Sequence, residues 1–146
     1  MRIRAWLIPV ALLAVAATPA WGCTVSASGH AFGAYNPFDP VPAETTSEIT
    51  VNCQSPYIVK LDTGLSGNFD PRAMGHDGNP ADHLQYNLYT APNFSIVWGD
   101  GGSGSGTLSG PGGSETDLHI VHGRMPARQN AKVGSYSDLL IVTLEF

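Results

Sequence analysis

Five histidines, two cysteines and a scatter of loop carboxylates are the side chains of this 146-residue chain that could do chemistry. A zinc site needs several of them converging. His119 and His122 stand three apart, which in a strand sends them to opposite faces, and no Cys/His pair shows zinc spacing. His76 and His83 lie beside Asp77 and Asp82 in a glycine-rich stretch that reads as a solvated loop. Asp70, Asp77 and Asp82 could bind calcium only as a loop cluster. They lack the spacing of an EF-hand or of a glycine-aspartate repeat. A hydrolase needs a nucleophile beside an orienting base. Gly102-Ser103-Gly104-Ser105-Gly106 is similar to a nucleophile elbow only in being glycine-rich, and a mobile linker cannot hold a nucleophile in place. Asp100 has no second carboxylate fixed near it, so Asp100-Gly101 reads as a hairpin turn. Trp98, Tyr86 and Tyr89 read as core or strand-face residues rather than a sugar platform. Asn93-Phe94-Ser95 matches a glycosylation sequon. No catalytic residue, metal or cofactor is expected.

The elements around these residues carry more information. No segment after residue 22 holds a 3.6-residue apolar period for three turns, whereas period-2 alternation recurs. Strands are expected at Thr24 to Phe32, Ser47 to Cys53, Tyr57 to Thr63, Leu84 to Tyr89, Phe94 to Trp98 and Leu118 to Val121. Ile49, Val51, Cys53, Tyr57, Val59, Leu61, Leu84, Tyr86 and Leu88 are their inward residues. Pro37, Pro40 and Pro42 mark an extended loop. Residues 64 to 83 are too densely punctuated by glycine and proline for a long element. The glycine-rich run 101 to 114 should be a flexible hairpin tip, and 123 to 132 a loop. About seven short strands with frequent turns indicate an all-β sandwich or barrel. The last strand runs to the end of the sequence. Leu140, Val142, Leu144 and Phe146 form one wholly apolar face, opposite Leu139, Ile141, Thr143 and Glu145.

Residues 1–22 read as a secretory signal peptide: Arg2 and Arg4, then an apolar run from Leu7 to Ala17, then small residues, with cleavage after Ala20 or Gly22. Ala20 and Trp21 are poor neighbours for a lipid-attachment box at Cys23. No later run is long enough to span a bilayer. The net charge of −5, more negative once Arg2 and Arg4 are removed, argues against a nucleic-acid partner. In an exported chain the default state of Cys23 and Cys53 is a disulfide, worth roughly 3–4 kcal/mol in the chain-entropy model.

Several stretches occur in a recognisable order. Cys23 is followed by Phe32-Gly33-Ala34-Tyr35, Ile49-Thr50-Val51-Asn52-Cys53 and Arg72-Ala73-Met74. Leu84-Gln85-Tyr86-Asn87-Leu88-Tyr89, Trp98-Gly99-Asp100-Gly101, Gly123-Arg124-Met125-Pro126-Ala127-Arg128-Gln129 and Gly134-Ser135-Tyr136-Ser137-Asp138 complete the set. Residues 23–146 thereby resemble the spore coat protein U domain family, which includes the pilin subunits of archaic (Csu-type) chaperone–usher pili. The resemblance implies an incomplete immunoglobulin-like β-sandwich that lacks its final strand and has one disulfide, mapping onto Cys23 and Cys53. It implies a structural subunit of a surface fibre, not an enzyme. The groove left by the missing strand would be lined by Leu140, Val142, Leu144 and Phe146. Its partners would be a periplasmic chaperone, an outer-membrane usher and a neighbouring subunit that donates a strand. With cleavage so close to Cys23, no donor extension is expected, which places the subunit at the tip or end of a fibre, with the 101–114 loop as a contact to test. The alternative within the family is a self-complete secreted coat or matrix protein. A secreted hydrolase or carbohydrate-binding domain is the alternative from another class.

Overall fold

The computed structural model describes residues 22–146. The expected signal segment, Gly22 apart, lies outside the described residues. Among the described residues nine strands form two antiparallel sheets: β1 Thr24–Ala27, β2 Ala43–Asn52, β3 Tyr57–Leu61, β4 Arg72–His76, β5 Asn79–Tyr89, β6 Leu108–Gly110, β7 Thr116–Met125, β8 Tyr136–Ser137 and β9 Val142–Glu145. The larger sheet runs β1-β2-β7-β5-β4-β8, and the smaller runs β6-β3-β9. Among the described residues no helix is long and apolar enough to cross a membrane.

Alternation decides which side chains meet between the sheets. Ile49, Val51, Cys53, Tyr57, Val59, Leu61, Leu84, Tyr86 and Leu88 are all buried, as their spacing predicts, and Trp98, Val121 and Met125 join them. The Trp98 indole donates to the Val59 carbonyl at 3.0 Å, which satisfies its one polar atom. The disulfide joins Cys23 to Cys53, tying the start of β1 to the end of β2.

Several boundaries differ from the sequence expectation. The stretch read as irregular, 64 to 83, holds a single 3-10 turn at Gly64–Ser66, all of β4 and the start of β5. Gly75, Gly78 and Pro80 belong to the hairpin itself: the register breaks between Gly75 and His76, so the chain from Pro80 to Asp82 lies in a bulge, where a missing N–H costs no ladder bond. Residues 94 to 98 form only isolated bridges, Tyr89 with Val97 and Trp98 with Gly106, and the stretch opens on Phe94 at a positive φ of 53°. The expected flexible tip at 101 to 114 contains β6, paired with β3. Gly110 is required there, since a Cβ would collide with the Tyr57 ring. Strand β7 continues through Met125, past the expected end at Val121. Strand β1 stops at Ala27 instead of continuing to Phe32.

Arg72 is wholly buried and knits the two layers. Its Nε and Nη2 donate to the Asp62 carbonyl at 3.1 and 2.7 Å. Nη2 also donates to the Trp98 carbonyl at 2.7 Å, and Nη1 to Asn87 Oδ1 at 2.8 Å. Burial lowers the pKa of Arg72, and the surrounding groups, Asp62, Asp138 and Asp70 among them, push it back up. Guanidinium stays charged throughout the accessible pH range. Arg72→Met should leave the Asp62 and Trp98 carbonyls without these donors and remove one of the two bonds to Asn87 Oδ1, costing about 3 kcal/mol. A lowered urea midpoint is the expected result, and an unchanged midpoint would contradict this role.

Candidate functional site

The C-terminal segment from Gly134 is placed by polar contacts before it becomes a strand. β8 pairs with β4 through Gly75↔Ser137 and His76↔Tyr136. The Asp138 carboxylate then accepts from the Tyr86 hydroxyl at 2.6 Å and from the Leu65 and Leu139 amides at 2.8 Å each. Burial, followed by the hydrogen bond to Asp138, drives the Tyr86 pKa far up, so this hydroxyl keeps its proton and always donates. Asp62 Oδ1 accepts the Ile141 amide at 2.9 Å, while the Asp62 amide donates to the Ile141 carbonyl at 3.2 Å. From Val142 the chain pairs with β3, Leu61↔Val142 through Ile58↔Glu145. Lys60 and Glu145 add a surface ion pair at 2.6 Å, a small contribution.

Ile141 turns both backbone groups toward the β3 side. Backbone polar groups of successive strand residues point to alternate edges, so those of Val142 and Leu144 face away from β3. Among the described residues no strand pairs with that edge of β9, nor with the outer edge of β1. Leu140, Val142 and Leu144 are partly buried against the core, whereas Leu139 and Ile141 on the opposite face are 71% and 60% exposed. Phe146, expected on the same lining, lies beyond the last paired residue and is 66% exposed. A cavity of about 270 Å³ opens beside the segment, lined by Ala27, His30, Ile49, Leu88, Leu140 and Val142 among others.

The residues weighed for other chemistry have structural work. His76 Nδ1 accepts the Gly78 and Asn79 amides and closes the β4–β5 turn. Asp82 pairs with Lys132 at 2.8 Å. His119 lies against the hydroxyl of Tyr57, which donates to Asp117 at 2.7 Å and ties β3 to β7. Asp100 Oδ1 accepts the Gly102 amide at 2.7 Å, closing the expected turn. Among the described residues no group of three or more His, Cys, Asp or Glu could hold a metal ion. The carboxylates that matter most, Asp62 and Asp138, carry no spacing signal. Asp138 stands out in the sequence only as the end of the Gly134-Ser135-Tyr136-Ser137-Asp138 stretch.

The two packed antiparallel sheets and the disulfide define an immunoglobulin-like sandwich domain. The Spore Coat Protein U domain model matches residues 10–143, and the chain belongs to that family. Its fold is similar to a chain in the crystal structure of the CsuC–CsuE chaperone–tip adhesion subunit pre-assembly complex from archaic chaperone–usher Csu pili of Acinetobacter baumannii. The TM-score is 0.63 at 22% identity, over 86% of this chain and 40% of that one. A chain of a chaperone–tip adhesin complex of CFA/I fimbriae is similar at a TM-score of 0.50 and 9% identity, over 70% of this chain and 34% of that one. The chain thus spans well under half the length of either. No curated protein sequence matches it.

His30 lines the cavity with Nδ1 2.7 Å from Ser47 Oγ, while its buried Nε2 has no partner. Burial lowers its pKa below 6.5. The folded chain therefore binds fewer protons than the unfolded chain below pH 6.5, and stability falls as pH drops from 6.5 toward the lowered value. His119 shifts in the same direction, also through burial. His30→Gln should flatten part of this acid-side decline, leaving the part due to His119. Urea midpoints between pH 7.5 and 5.5 would check it, and an unaltered slope would refute it.

Proposed function

We propose that this protein is an exported structural subunit of a chaperone–usher surface fibre, and that it accepts a strand along the free edge of β9. The observation that carries the reading is that edge: an apolar inward face, outward-turned backbone groups at Val142 and Leu144, and an opening of about 270 Å³ behind them. An added strand would supply ladder bonds to the edge and side chains to the opening. Leu140, Val142 and Leu144 are already partly buried, so covering each contributes only part of the roughly 1.5–3 kcal/mol of a full burial. Left unfilled, the same edge is an aggregation hazard.

A chaperone partner is supported by the family and by the two similar structures, both named for chaperone–subunit complexes. A periplasmic chaperone fills the groove first. A strand from a neighbouring subunit then replaces it at the outer-membrane usher. Both neighbours are titled for tip subunits, which supports a place at the fibre tip. The reading involves no catalysis. A self-complete coat protein would need a segment of the chain itself on the free edge of β9, and among the described residues none lies there.

Co-expression with the cognate chaperone tests the proposal. The subunit should accumulate only with the chaperone and should copurify with it. Leu144→Asp should reduce copurification at least tenfold while export continues, because a carboxylate would be forced into the apolar lining. A stable monomer accumulating alone, or a normal yield of complex from Leu144→Asp, would sink the assignment.

A further inference from the structure

A second and larger cavity, about 660 Å³, adjoins the first, and His30 belongs to the walls of both. Its lining is mainly apolar: Phe32, Met74, Leu84, Met125, Ala131 and the Tyr136 ring. Both cavities lie between the same two stretches of chain. One runs from Ala27 to Pro37 and the other from Ala131 to Val142. Neither stretch forms a ladder with the other.

We infer that one incoming strand fills both cavities, and that it carries a bulky aromatic side chain for the larger one. This rests on the reading of β9 as a strand acceptor. Three observations lead to that occupant. The first is continuity, since the cavities share His30 and flank the same pair of segments. The second is polarity. The Tyr35 hydroxyl donates to the Pro126 carbonyl and accepts the Gln129 amide, both at 2.8 Å. The Tyr136 hydroxyl is bound to the backbone of Lys132, and Lys132 Nζ to Asp82. His30 Nδ1 is held by Ser47, and His30 Nε2 is turned against Gly123. Apart from Ser135, the ionisable and hydroxyl groups of the larger chamber's lining are thus engaged or turned away, which favours a mainly apolar occupant. The third is size. The larger chamber has more than twice the volume of the smaller, so side chains that fill the space beside Leu140 and Val142 leave it partly empty. Voids forfeit contact energy on every wall, so the best occupant is the one that fills both. A strand lying beside residues 27 to 35 needs about nine residues at 3.3 Å each, about 30 Å in all.

The consequence is a selectivity rule for the donor. Small or β-branched residues suit the stretch beside β9, and an aromatic residue suits the far end past His30. The chain from Gly22 onward, refolded from urea with synthetic twelve-residue strands, tests it. One strand carries Val at every inward position. Two others carry a single Trp, at the first or the last inward position. Fluorescein-labelled strands and anisotropy give the affinities. One Trp strand should bind at least tenfold more tightly than the all-Val strand. Ala131→Phe, which fills the larger chamber, should erase that gain and leave all-Val binding within about twofold. Should Ala131→Phe fail to fold, Met74→Trp at the partly buried wall of the chamber should erase the gain in the same way. Equal affinities for all three strands, or a Trp gain that survives both variants, would overturn the two-chamber inference and leave strand acceptance standing. Failure of every strand to bind would overturn strand acceptance and this inference together. Saturation with free indole that leaves the Trp gain intact would also overturn it, by making the chamber a separate small-ligand site.

Discussion

The structure is governed by a mismatch in cover. A six-stranded sheet presents an apolar inner face, and only three short strands pack over it. Ile49, Val51, Leu88 and Val121 on the large sheet share one buried cluster with Tyr57, Val59, Leu61 and Trp98. Beyond the reach of the small sheet, Phe32, Tyr35, Ala131 and Tyr136 come in from segments with little ladder of their own. Side chains can cover an apolar face without a ladder, but they leave gaps, and here the gaps lie along a single line between two segments. The open edge and the cavities therefore have one cause, a layer one strand short of covering its partner.

An open edge is usable only if its wall stands before the partner arrives. That is the part played by the polar network at the start of the terminal segment. Arg72 holds the Asp62 backbone from below, and the Asp62 side chain holds Ile141. Asp138 fixes Leu139 and Leu65 while Tyr86 donates to it from β5. Each of these carboxylates accepts at least two N–H or O–H groups, the arrangement that makes a partly buried charge tolerable. The consequence for binding is preorganisation. With Leu140 and Val142 already set, a strand bound as proposed would lose less free energy to ordering its acceptor. Phe146, past the last rung and exposed, lies outside that anchoring.

Much of this was readable in one dimension. Strict alternation at 47–53, 57–61 and 84–88 named the inward residues, because period 2 in a strand is a property of the local backbone. The two cysteines pointed to their bond, and the apolar face at Leu140, Val142 and Leu144 was visible in the last seven residues. Glycine-rich stretches misled. In 64–83 and 101–114 glycine density read as loop, yet β4 and β6 lie there. Gly110 is small because the Tyr57 ring occupies its place, and Gly75 borders a bulge. A glycine selected by a distant side chain looks the same in sequence as a glycine selected for a turn.

The sequence by itself determined the all-β class, the inward residues of 47–53, 57–61 and 84–88, and the apolar face of the terminal segment, since all three depend on residues within a few positions of one another. Only the tertiary structure decided which edges stay unpaired, that Asp62 and Asp138 hold the segment, and that two cavities meet at His30. Those facts depend on contacts such as Tyr86 with Asp138 and Asp62 with Ile141, made across 52 and 79 residues. No local pattern encodes a pairing over such distances, so the groove became visible only when the sheets were assembled.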